Sequence, residues 1–256
     1  MQNSYRADLV QSWYEEEQQP FKGWDFSHLD GRMIEEQPPW SYSAMAKELL
    51  NGTTAVLDMG TAGGERFSMM RDYWPKKVAV TEEYPPNLAL ARERLTPLGV
   101  DVFDVRLTHT DPMPFANGEF DLILNRHSAF NSNEVARILT NGGIFFSQQV
   151  HGLWADDLIE AFGAKPQWPD STPENYSKRL AAAGLTIELA ENWRGKLTFT
   201  DVGAIVYYLN AVPWTVQGFS VKKHLSHLHA LQARLDAGEK LSFSARKFLI
   251  KAQKSN

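Results

Sequence analysis

Apolar residues fall in short blocks along the middle of the chain, separated by longer amphipathic stretches. The run TAVLDMG, closing at Gly60, is a buried strand by its length and composition. Glu65–Trp74 follows as a helix, and Lys77–Thr81 as a second strand. Residues 85–95 (PPNLALARERL) open on two prolines and place Leu88, Ala91 and Leu95 at helical spacing. Asp101–Leu107 alternates like a third strand, Phe120–Leu124 is a fourth and Ile144–Val150 a fifth. Between the last two, Ser132–Leu139 reads as a short helix stopped by Asn141-Gly142-Gly143. Strand and helix in alternation predict a parallel sheet covered on both faces.

Beyond residue 151 the rhythm loosens. A helix at Leu153–Phe162 leads into a proline-rich loop. A second helix at Pro173–Ala183 has Ser171 or Thr172 as its cap, and a sixth strand spans Leu185–Trp193. A largely helical stretch, 198–237, precedes a final strand at Leu241–Ala252. Within it, residues 201–209 (DVGAIVYYL) are apolar on nearly every side, the pattern of a buried helix that Thr200 can cap.

Composition narrows the chemistry. The 256 residues contain no Cys, which excludes disulfides, thiolate nucleophiles and Cys-held zinc or iron–sulfur clusters. The net charge of −5 argues against a duplex nucleic-acid binder. It conceals a gradient: residues 1–50 hold nine acids and four bases, and residues 217–256 hold eight bases and two acids. No apolar run approaches the ~20 residues that cross a bilayer, and the polar, acidic N-terminus is unlike a targeting peptide. The expectation is a cytoplasmic protein without membrane contact.

The most informative segment is Asp58-Met59-Gly60-Thr61-Ala62-Gly63-Gly64-Glu65, a small-residue turn between strand and helix. Small residues let the backbone approach a ligand, and in open α/β sheets ligands bind at this carboxyl edge. The spacing fits neither G-x-G-x-x-G nor a P-loop. Asp58 would repel a pyrophosphate and suits a ligand with an ammonium group. Glu82, at the end of the second strand, can accept from both ribose hydroxyls. His224, His227 and His229 share a helix, but no acid or Cys nearby completes a metal set, so no metal site is expected.

At these residues the chain resembles the class I S-adenosylmethionine-dependent methyltransferases. The first motif of that family, Asp-x-Gly-x-Gly-x-Gly, appears as Asp58, Gly60, Ala62 and Gly64, with Ala in place of the middle glycine. Glu82 matches the ribose acid, with Glu83 beside it. Thr108 to Phe115 matches the family's segment near the adenine, where His109 stands at the usual Asp position and Asp111 lies two residues on. Either one, with Thr110, is a candidate for the adenine contact. Asp121 matches the start of the fourth strand, and Glu134–Leu139 with Asn141-Gly142-Gly143 resembles the family's helix and turn. Trp24-Asp25-Phe26, Pro38-Pro39-Trp40, Asn125-Arg126-His127, Gln148-Gln149-Val150 and Tyr207-Tyr208-Leu209 are similar to a bacterial subgroup of unassigned substrate.

The resemblance implies an α/β fold with a doubly wound, mostly parallel seven-stranded sheet whose last strand is inserted antiparallel. It implies S-adenosyl-L-methionine as cofactor, held by Asp58, Gly60, Thr61, Ala62, Gly64, Glu82, Glu83, His109, Thr110, Asp111 and Asn125. His127, just after the fourth strand, is the candidate catalytic base. The expected organisation is an N-terminal helical cap (1–50) and a methyltransferase domain (51–256) with a helical lid insert at about 198–237. A small-molecule acceptor is the first reading, on a monomer or homodimer. The alternatives are an RNA methyltransferase using the C-terminal basic track, a catalytically inactive nucleoside-binding or interaction protein, and aminopropyl transfer on the same fold.

Overall fold

The computed structural model describes residues 2–21, 24–106 and 112–255. Eight strands form one mixed sheet: β1 (Met33–Glu35), β2 (Ala55–Met59), β3 (Lys77–Glu82), β4 (Asp101–Asp104), β5 (Phe120–Arg126), β6 (Leu139–Val150), β7 (Leu185–Phe199) and β8 (Leu241–Lys254). Their order is β1-β7-β8-β6-β5-β2-β3-β4. The pairs β2–β3, β2–β5, β3–β4 and β5–β6 are parallel, whereas β8 lies antiparallel to β6. The inserted last strand is as expected. The sheet has eight strands rather than seven, because the three-residue β1 adds antiparallel to the far end of β7. A strand that short carries too little periodicity to be read from sequence.

The chain divides into two compact units, one of residues 1–38, 152–169 and 194–246, the other of residues 39–151, 170–193 and 247–256. In the second unit, alternate residues of the parallel strands feed two cores. Leu57, Ile123 and Phe145 pack with Val135 and Ile138 of helix α5 (Ser132–Ile138) and with Leu180 of α7 (Pro173–Ala182). On the opposite face Val56, Leu122, Leu124 and Phe146 meet α2 (Tyr42–Leu50) and α4 (Pro85–Leu95) through Tyr42, Leu50, Ala91 and Leu95. Asp121 fixes the start of β5 to that of β2. Its carboxylate accepts from Thr54 N (2.8 Å), Thr54 Oγ1 (2.8 Å) and Ala55 N (2.9 Å).

Three local expectations need correction. The helix anticipated over Glu65–Trp74 is a single α-turn, α3 (Glu65–Ser68), followed by a 3₁₀ turn at Arg71–Tyr73. Asn141-Gly142-Gly143 does not stop a helix. α5 already ends at Leu139, in extended conformation, and the tripeptide lies inside β6. The cap of α8 (Val202–Ala211) is Asp201 rather than Thr200, with its Oδ1 accepting from Ala204 N at 2.8 Å.

The first unit contains α1 (Gln2–Glu17), α6 (Asp156–Ala161), α8 and α9 (Val221–Asp236). α8 is buried all round, as its composition predicts, and Trp13 of α1 is 1% exposed against His229 of α9. Arg32 joins Asp201 (2.7 Å) and Glu16 (2.8 Å). Among the described residues no helix is long and apolar enough to cross a membrane, and no group of His and acids could hold a metal.

Candidate active site

The order of the sheet reverses between β5 and β2, which opens a crevice beyond their carboxyl ends. The turn after β2 occupies it. Gly60 (φ +67°), Ala62 (φ +55°) and Gly64 (φ +79°) all have left-handed backbone. Gly60 has a second reason to lack a side chain, since a Cβ there would collide with Ser128. Ala62 is the costly member, because a non-glycine residue in this region pays roughly 1–2 kcal/mol. Its N–H donates to Glu82 Oε2 at 2.7 Å, which offsets that cost. Thr61 N donates to Thr81 O at 3.0 Å.

Glu82 is buried and serves the backbone as well as any ligand. Oε1 accepts from Glu83 N (3.0 Å) and Tyr84 N (2.9 Å), so three amides hold one carboxylate. A carboxylate offers about four acceptor sites, which leaves one open on Oε2. Asp58 precedes the turn on the Val56 side of the sheet. Burial pushes its carboxyl up to about 7, against the lowering influence of Thr61 and of the Arg126 charge. Glu82 adds a further raising contribution.

Across β5, Asn125 is fully buried. Its Oδ1 accepts from Ser147 Oγ (3.0 Å) and from Gln149 Nε2, while its Nδ2 has no partner among the described residues. Gln149 also donates to Ser128 O at 3.0 Å, tying the segment after β5 to this cluster. A buried amide donor without an acceptor is expensive, and a bound polar group would relieve it. His127 follows with φ +58° and donates its backbone N–H to Gln148 O at 2.8 Å. Burial pushes its imidazole well below the ordinary value, and the Arg126, Lys247 and Arg66 charges push the same way. Tyr42 is driven upward by burial and by Asp58.

The structure therefore brings Asp58, Gly60, Thr61, Ala62, Gly64, Glu82, Glu83, Asn125 and His127 to one edge of the sheet. His109, Thr110 and Asp111 lie outside the described residues. Two side chains that sequence reasoning did not place in the site belong to it, Trp40 and Gln148. For Gln148 the signal was a polar pair, Gln148-Gln149, at the end of an otherwise apolar strand; Trp40 had none.

Residues 57–147 match the family model described as a methyltransferase domain. A methyltransferase domain is what this stretch of the chain is similar to. Solved structures with this methyltransferase fold resemble it at low identity. A provisionally assigned methyltransferase of Bacillus halodurans C-125 is 17% identical, with 84% of this chain and 99% of that one covered and a TM-score of 0.60. The YcgJ protein of Bacillus subtilis is 17% identical over 84% and 98%, with a TM-score of 0.59. An S-adenosylmethionine-dependent methyltransferase of Mesorhizobium loti is 16% identical over 84% and 98%, with a TM-score of 0.51. No curated protein matches the sequence. The matched segment runs from within β2 to within β6 and so contains the whole turn after β2, Glu82, Asn125 and His127.

Proposed function

We propose that the protein transfers the methyl group of S-adenosylmethionine to a small-molecule acceptor by in-line displacement. The observation that carries this reading is the fastening of the Gly60–Gly64 turn to Glu82 at the point where the sheet order reverses. The residues suit the cofactor. Asp58 provides a carboxylate for the α-ammonium, Glu82 Oε2 an acceptor for a ribose hydroxyl, and Asn125 Nδ2 a buried donor in want of an acceptor. Bound S-adenosylmethionine supplies an electrophilic methyl on a sulfonium. The protein holds donor and acceptor in line, which contributes up to ~7–11 kcal/mol, and excludes water. Titration calorimetry with S-adenosylmethionine tests the cofactor assignment, and no binding below millimolar concentration would overturn it. A labelled-methyl screen over metabolites and bulk RNA tests the acceptor class. Label in RNA alone would replace the small-molecule reading.

A further inference from the structure

His127 is not placed like a free base. Indole N–H groups only donate, so the Trp40 Nε1–Gln148 contact of 2.9 Å identifies the Gln148 atom facing Trp40 as Oε1. The other end of that amide is then Nε2, a donor, and it lies 3.0 Å from His127 Nε2. His127 Nε2 must accept, and the ring proton of the neutral imidazole sits on Nδ1. Gln148 is 4% exposed and its backbone carbonyl also receives His127 N, so the amide and the ring are held at two points. The charges that act on the ring, Arg126, Lys247 and Arg66, are all positive, and Lys247 is itself buried.

We propose that Trp40 and Gln148 are positioning residues that hold His127 as a neutral Nδ1–H tautomer, so that its part in the transfer is to donate a hydrogen bond rather than to take the acceptor's proton. This rests on the methyltransferase reading and assigns the role of one residue in it. His127 then removes no proton, because its only lone pair already accepts from Gln148.

The test is ¹⁵N NMR of the full-length protein, with the His127 signals identified by difference from His127→Asn, a residue that tolerates the left-handed backbone. The expected result is Nδ1–H at pH 7 and no protonation at pH 6.5. Trp40→Phe frees the amide to turn and should bring both tautomers into view. Gln148→Glu should favour Nε2–H and raise the titration above that of the wild type. An Nε2–H tautomer in the wild type, or titration near 6.5, would overturn the proposal even if both variants failed to fold. Calorimetry with S-adenosylmethionine reads the cofactor separately, so the two readings fail independently.

Discussion

Asp58→Asn should make the ligand-free protein more stable at alkaline pH while weakening its hold on the cofactor. The folded carboxyl titrates at about 7, against 3.8 for the ordinary group. Between those values the native chain keeps a proton that the unfolded chain would release. Stability therefore falls as pH rises from about 4 and levels off above about 7. At about 1.4 kcal/mol per pH unit, the interval is worth about 4 kcal/mol. That figure is a ceiling, because the residue keeps some access to water. Asparagine has nearly the same shape and no such dependence. Urea unfolding at pH 5 and pH 8 should show the variant gaining on the wild type at the higher pH, by about 1–3 kcal/mol. In wild type, affinity for S-adenosylmethionine should fall as pH drops below about 7, since a neutral Asp58 offers no charge to the ammonium. Parallel stability curves for the two proteins, or a cofactor affinity flat from pH 8 to 5.5, would refute the reasoning.

Glu82→Gln should lower cofactor affinity by roughly 10–100-fold in calorimetry, because an amide has one oxygen for the N–H groups of Ala62, Glu83 and Tyr84, so its NH2 would face a donor and the loop would loosen. Unchanged affinity would count against the ribose role. Gly60→Ala should destabilise the fold in thermal melts, and adding Ser128→Gly should restore part of the loss by removing the collision. No rescue would mean that backbone strain alone is responsible. Asp121→Ala should cost about 2–4 kcal/mol in urea unfolding, since three donors of the β2 start lose one carboxylate.

The parallel half of the sheet was legible because its strands are short apolar runs bounded by clear turn residues. The glycine turn and Glu82 were legible because a ligand-binding edge demands small residues and an acid at fixed positions. Other features were invisible for specific reasons. β1 is too short to show a period. Asn141-Gly142-Gly143 looks like a helix stop because Gly142 does adopt φ +74°, yet β6 absorbs it. Thr200 and Asp201 are both good caps, and the one used, Asp201, also pairs with Arg32, a partner 169 positions away that only the fold supplies. The Trp40–Gln148–His127 chain joins residues 108 positions apart, and no local pattern encodes such a meeting.

Glu82 carries a consequence for how a nucleoside ligand would be read. The oxygen proposed for the ribose is the same oxygen that secures Ala62, and the turn it secures is the one proposed to face the amino-acid end. The two ends of the ligand are therefore not felt independently. Adenosine alone would perturb the seat of methionine, and methionine alone would find that seat already set by the carboxylate. The affinities of the fragments should not sum to that of the whole, so the domain would measure an intact nucleoside-linked amino acid rather than two separate pieces.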